Sequence, residues 1–319
     1  MILYILGNGF DISHNMKTRY SDFEEFVNGN YSYKKLLYDR QYGVDNLWSN
    51  FEMNLANLDI DYLLHGISGM FDLGGDENDT LDIRCDAWFS EVITNKLVSS
   101  DELKNIFKKW VESIEIPTQS SKRNFYFGNS QECLYINFNY TTVLEKLYKI
   151  NYSDILYIHG CAERAMNIIV GHGSKEFYAE KPIYRDENGE EAEVDGVDLS
   201  IYSSSEEESI MLESIAKYLN DLKKPTSEVS RQLIDFLNIK LFIKNIHKIE
   251  KICVFGHSCG LVDMPYFCSI QNYVGKDVEW EIAYYDESHV KGMRQRLTEA
   301  GLDMTNIKFI NNTVISYRR

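Results

Sequence analysis

Ile2-Leu3-Tyr4-Ile5-Leu6-Gly7-Asn8-Gly9-Phe10-Asp11 opens the chain with an apolar run halted by two glycines. Such a run, apolar on both alternate faces, reads as a buried central strand entering a tight turn. Further along, Cys133 to Phe138 is strand-like, and Thr141 to Tyr148 suits a helix directly behind it. Three more apolar runs finish in Gly and His: Ile155 to Ile158 before His159-Gly160, Ile168 to Val170 before Gly171-His172-Gly173, and Ile252 to Phe255 before Gly256-His257-Ser258. Trp280 to Tyr284 and Ile307 to Ile310 add two strands, with a helix across His289 to Ala300 between them. Strands alternating with helices predict an α/β fold, a mainly parallel sheet with helices on both faces.

Between the first two strands the period changes. Ser21-Asp22-Phe23-Glu24 fits a capping box. Apolar stripes follow at Phe23, Phe26 and Val27, at Trp48, Phe51, Leu55 and Leu58, and at Leu103, Phe107, Trp110 and Ile114, with a further helix around Asp86 to Leu97. Residues 20–116 therefore read as a large helical insertion in a core made of 1–19 and 117–319. Inside that core, residues 185–208 carry ten acidic side chains against one basic, which predicts a solvated acidic loop.

The 319 residues suit one large domain carrying an insertion. With 44% hydrophobic and 26% charged residues, disordered and fibrous chains are excluded. The formal charge of −16 disfavours direct binding to nucleic acid or an anionic membrane. No stretch approaches the roughly 20 apolar residues of a membrane span, and Met1 to Leu6 lacks a charged leader region, so a cytoplasmic chain is expected. Six cysteines form no CxxC pair, which predicts reduced, buried thiols.

Ligands of open parallel sheets bind at the carboxyl ends of the strands, near the point where strand order reverses. Four such ends are rich in small or polar residues: Gly7-Asn8-Gly9-Phe10-Asp11, Asn137-Phe138-Asn139-Tyr140-Thr141, His159-Gly160, and Gly256-His257-Ser258 with Asp263. The Gly7-x-Gly9 turn either admits a phosphate to the backbone or is an ordinary tight turn, since Ile12 stands where a dinucleotide fingerprint carries its third glycine. Asp11 suits a ribose hydroxyl or a helix cap. Asn139 supplies both donor and acceptor, so it can orient a water or a ribose hydroxyl, or else satisfy loop backbone at the strand end. His159 is either the natural general base or a structural histidine. His172 is a second histidine candidate, but no metal-ligand spacing accompanies it and no metal is expected. Gly256-His257-Ser258-Cys259-Gly260 also matches the G-x-S-x-G elbow of serine hydrolases, although only 61 residues follow Ser258 to supply an acid and a histidine.

In order and spacing, Gly7-Asn8-Gly9-Phe10-Asp11, Thr18-x-Tyr20-x-x-Phe23, Asn137 to Thr141, Ile158-His159-Gly160, Gly171-His172-Gly173 and Gly256-His257-Ser258 with Asp263 resemble the bacteriophage abortive-infection AbiH family. That resemblance implies antiphage defence, with a phage trigger, a partner protein or a second copy of the chain as candidate partners. Gly7-x-Gly9, Asn139-Tyr140, His159-Gly160 and Gly256 to Pro265 are similar, in the same order, to sirtuin-like NAD-binding domains. This second resemblance implies a Rossmann-like fold that binds NAD and hydrolyses it to release nicotinamide. It assigns catalysis to Asn139 and His159, and NAD contacts to Gly7, Asn8, Gly9, Asp11, Asn137, Gly256, His257, Ser258 and Asp263. Thr141 stands where such domains carry aspartate, and Asn137 where they carry threonine. The alternatives are a nucleotide-binding sensor without turnover and a hydrolase using Ser258.

Overall fold

The computed structural model describes residues 1–30, 51, 100–118, 127, 132–164, 166, 168–170, 184–185, 191–192, 229–244 and 248–311. Most of the expected helical insertion, most of the 185–208 acidic segment and the Gly171-His172-Gly173 motif lie outside these residues.

The chain divides into two compact units, one comprising Met1–Asp22, Phe107–Ser174 and Thr226–Arg319, the other Phe23–Ile106 and Lys175–Pro225. In the second unit, Phe23 meets Phe51 edge-on at 5.7 Å, and Tyr184–Arg185 (β4) pairs antiparallel with Glu191–Ala192 (β5). The first unit holds a six-stranded, all-parallel sheet. Its strands are β1 (Ile2–Leu6), β2 (Cys133–Asn137), β3 (Ile155–Tyr157), β6 (Lys251–Phe255), β7 (Glu279–Tyr284) and β8 (Ile307–Asn311), in the order β3-β2-β1-β6-β7-β8. Sequence order reverses between β1 and β6, which makes their carboxyl ends the topological switch point.

Side-chain alternation along the strands builds two cores. Leu3, Ile5, Leu134, Ile136, Ile252 and Val254 face one layer, where they pack with Leu233 and Leu237 of α5 (Val229–Ile243), Phe267 and Ile270 of α6 (Met264–Val274), and Met293 and Leu297 of α7 (Ser288–Glu299). Tyr4, Leu6, Tyr135, Cys253 and Phe255 face the other, against Phe10 of α1 (Asn8–Ser13) and Val143 and Leu144 of α4 (Val143–Lys146). Helices on both faces explain why Ile2 to Leu6 and Cys133 to Ile136 are apolar without interruption. Each fully buried Leu or Ile contributes roughly 1.5–3 kcal/mol.

Helices α2 (Tyr20–Asn28) and α3 (Ser100–Ser113) form where the apolar stripes predict them. Helix α2 begins earlier than the Ser21 box predicts, and the Asp22 carboxylate in its first turn accepts from the Arg19 backbone N–H at 2.8 Å, so Asp22 rather than Ser21 serves the helix start. The segment expected as a helix over Thr141 to Tyr148 contracts to α4, since Thr141 is held by a side-chain hydrogen bond in the loop before it. Ile168 to Val170 is not a strand. The Ile169 N–H donates to His159 O and its carbonyl accepts from the Tyr140 hydroxyl, so loop partners satisfy the groups a sheet ladder would have used. Helix α5 has no counterpart in the sequence reading.

The Gly7-Asn8-Gly9 turn is a direct strand-to-helix junction in which Gly7 caps α1. Its glycines answer to the neighbouring loop. A Cβ on Gly7 would lie 2.7 Å from His257 Cα, one on Gly9 would lie 2.8 Å from Gly256 Cα, and one on Gly256 would lie 2.1 Å from Phe10 N. Gly256 also sits at φ +63, the left-handed region. Gly256→Ala therefore combines backbone overlap with a left-handed penalty, and it should destabilise the fold by at least about 3 kcal/mol. Urea unfolding of the variant checks this, and a midpoint close to the parent's would refute the packing described.

Candidate functional site

The ends of β1, β2, β3 and β6 place buried polar side chains beside the switch point, in two groups. The first centres on Asp11, in the first turn of α1 and 1% exposed. Asn139 donates from Nδ2 to Gly7 O at 3.1 Å and to Asp11 Oδ1 at 3.2 Å, and the Thr141 hydroxyl donates to Asp11 Oδ2 at 2.6 Å. Asn137 turns its own Oδ1 back to accept from the Asn139 N–H at 3.1 Å. The β2 loop is thereby fastened to the β1 loop through polar groups shielded from water. Burial raises the Asp11 carboxyl from 3.8 to about 7, with the Thr141 hydrogen bond pulling the other way.

The second group is a pair of imidazoles around one carboxylate. Asp263 ends a 3₁₀ turn, Leu261–Asp263, leading into α6. Its Oδ2 lies 3.5 Å from His257 Nε2 and its Oδ1 3.8 Å from His159 Nε2. His257 is held from both sides. Its Nδ1 accepts from the Cys259 N–H at 3.0 Å, while Phe138 and Phe267 meet its ring edge-on at 4.6 and 5.0 Å. An Nδ1 that accepts leaves the ring proton on Nε2, facing Asp263. Burial lowers the His257 pKa, with Asp263 opposing and His159 reinforcing the shift, so the ring is neutral at neutral pH. His159 stacks on Tyr140 at 5.8 Å and meets Phe138 edge-on at 5.6 Å.

The structure thus brings Gly7, Asp11, Asn137 and Asn139 into one network and His159, His257 and Asp263 into another, with Phe138 against both imidazoles. Asn8 turns its amide to Thr18 O at 2.8 Å and is exposed. Ser258 is exposed, and its carbonyl accepts from Arg296. In the Gly256-His257-Ser258-Cys259-Gly260 stretch the left-handed residues are Gly256 and Cys259, not the serine whose strained backbone would define a nucleophile elbow. The N–H groups of Gly7, Gly9 and Phe10 donate to Phe255 O, Gly256 O and Gly7 O, so these three donors of the first glycine turn are spent inside the protein. Among the described residues no group of three or more His, Cys, Asp or Glu side chains is arranged to hold a metal ion, and no helix is long and apolar enough to cross a membrane.

Phe138 and Tyr140 stand in the Asn137 to Thr141 motif but receive no role from the sequence, and Arg296 does not stand out in it at all. The aromatics alternate with Asn137, Asn139 and Thr141 in one short motif, which is a readable signal. Arg296 is one charge among several on an amphipathic helix and carries no such signal.

These features define an α/β protein whose six-stranded sheet is all-parallel, with a buried polar site at that sheet's topological switch point. A family model described as bacteriophage abortive infection AbiH matches residues 3–284, a span that includes both side-chain groups, and the chain belongs to that family. No curated protein and no solved structure matches it. Membership gives the protein a role in phage abortive infection.

The Asp11 environment makes stability depend on pH. Below about pH 4 the carboxyl is protonated in both states, whereas between 3.8 and about 7 the folded chain keeps a proton that the unfolded chain releases. Stability from this group is thus full below 3.8 and is lost as pH rises through 7, by at most about 4 kcal/mol. Asp11→Asn should remove that part of the slope. Urea unfolding of both proteins at about pH 4.5 and pH 7.5 measures it, and equal slopes would contradict the burial of an ionisable group here.

Proposed function

We propose that the protein binds NAD at the switch point and hydrolyses it, releasing nicotinamide, as its act in phage defence. The reading is carried by one observation: His159 and His257, which follow β3 and β6, flank a single buried carboxylate, Asp263. In this reaction the C–N bond between the ribose anomeric carbon and nicotinamide breaks through an oxocarbenium-like state. Nicotinamide leaves with the bonding electrons, water forms the new C–O bond, and the water proton passes to His159, giving ADP-ribose. Asp263 orients the His159 ring. Asn139 has committed both Nδ2 hydrogens to Gly7 and Asp11, so its contribution is Oδ1, which accepts from the attacking water or a ribose hydroxyl. Asp11 and Asn137 hold Asn139 in place. Gly7, Gly9 and Gly256 shape the surface over which the pyrophosphate lies, and the exposed Asn8 and Ser258 meet the phosphate and adenosine side.

A second reading, recognition of NAD without turnover, is favoured by the extent to which Asn139 and Asp11 are bound to each other rather than presented to a ligand. Both readings leave room for a phage trigger, a partner protein or a second copy of the chain.

Purified protein incubated with NAD, alone and with phage-infected lysate, should release nicotinamide detectable by chromatography. His159→Ala should slow that release by about 10²–10⁴-fold, the range for loss of a general base. Asn139→Ala should do likewise. NAD bound but recovered intact under every condition would select the sensor, and no binding by calorimetry would remove both readings.

A further inference from the structure

Helix α7 reaches the site through one side chain. Arg296 donates from Nε to Cys259 O at 2.7 Å and from Nη2 to Ser258 O at 2.8 Å, so one guanidinium holds two successive carbonyls of the loop after β6. Its planar fork suits that pair, and lysine could not reproduce it. Gly292, one helical turn earlier, keeps the space open, since a Cβ there would lie 3.2 Å from Arg296 Nη1.

The loop so held is strained at one point. Cys259 has φ +51, one of the few left-handed residues other than glycine among those described, and its conformation costs free energy that only surrounding contacts can offset. That conformation has a consequence for the site. It aims the Cys259 N–H at His257 Nδ1, so Nε2 carries the proton toward Asp263, whose other oxygen faces His159.

We propose that Arg296 is a positioning residue. By gripping the Ser258 and Cys259 carbonyls it maintains the left-handed turn whose N–H fixes His257 in the Nε2–H tautomer and thereby sets how Asp263 is presented to His159. This deepens the NAD-cleaving reading of the same site, on which its kinetic consequence rests, while the tautomer claim stands on the hydrogen bonds alone. The groups that face His257 are Asp263, His159, the Cys259 N–H and the rings of Phe138 and Phe267. The neutral ring depends on its burial.

Histidine ¹⁵N shifts of the full chain, assigned with a His257→Gln control, read the tautomer directly. The parent should carry the proton on Nε2. Arg296→Ala should move the tautomer ratio at least about fivefold toward Nδ1–H, the effect of losing one ordinary hydrogen bond. Adding Cys259→Gly, which accepts the left-handed backbone without help from the guanidinium, should restore the parent ratio. A parent proton on Nδ1, or an unchanged ratio in folded Arg296→Ala, overturns the proposal. Should Arg296→Ala not fold, the double variant decides. Folded with the parent tautomer it supports the proposal, and unfolded or shifted it refutes it.

The kinetic arm separates this inference from the activity it builds on. Arg296→Ala should lower kcat for nicotinamide release at least about tenfold with KM little changed, because the site is misaligned rather than emptied of binding contacts. No release from any variant alongside the expected tautomer shift would sink the NAD reading and leave Arg296 in its role. Release together with an unmoved tautomer would sink the role of Arg296 alone.

Discussion

Backbone approaches backbone at the β1–β6 seam more closely than side chains allow, and the site is organised around that contact. Gly7 donates to Phe255 O at 2.9 Å and Gly9 to Gly256 O at 2.7 Å, extending the hydrogen bonding of the two strands past their ends into the loops. Three glycines permit this, because a Cβ on any of them would come within 3 Å of the opposing backbone. Two consequences follow. Helix α1 starts at once after β1, which carries Asp11 back over the sheet end to meet Asn139 and Thr141. On the other side the chain must turn sharply after Phe255, and His257 enters the core between two aromatic rings instead of turning out to water.

The two polar groups that result are stabilised in different ways. Asp11 receives two donors, yet burial outweighs them and its carboxyl is pushed up to about 7. Its environment suits a neutral acid almost as well as an anion. Asp263 instead has an imidazole on each side at 3.5 and 3.8 Å, beyond ordinary hydrogen-bond distance, so the three groups are near neighbours without close hydrogen bonds between them. Catalytic hydrogen bonds commonly tighten only when substrate binds, and a loosely assembled array is compatible with such a change. The Asp11 network already has hydrogen-bond geometry without ligand, which fits a structural and orienting task.

Most of the sheet was legible because its signal is local. Six apolar runs become six parallel strands, and the Gly or His residues that follow β1, β3 and β6 mark their carboxyl ends without any knowledge of strand order. The seventh run, Ile168 to Val170, looks the same in sequence but finds its partners in a loop, a tertiary choice that periodicity does not encode. Gly7-x-Gly9 is ambiguous for a related reason. The same absence of Cβ serves a phosphate or a neighbouring backbone, and only the position of Gly256, almost 250 residues away, decides what occupies the space. Asn139 shows the converse. Its amide was readable as a polar group at a strand end, but the two acceptors that engage it lie 132 and 128 positions away in the chain.

The seam also constrains how a nucleotide would be met. With the N–H groups of Gly7, Gly9 and Phe10 committed internally, that turn has fewer donors to turn toward a pyrophosphate than the glycine turn of dinucleotide-binding proteins. Nor does a chain of formal charge −16 draw such a ligand from a distance. Burial pushes Asp11 toward its neutral form and lowers the His257 pKa, so neither enters as a strong fixed charge. Under the proposed reading, recognition would fall to stacking, amide and hydroxyl groups, and to the shape of the two glycine loops. A ligand carrying a base and two riboses would supply more of those contacts than a bare phosphate, and the close approach that holds the loops together would set that preference.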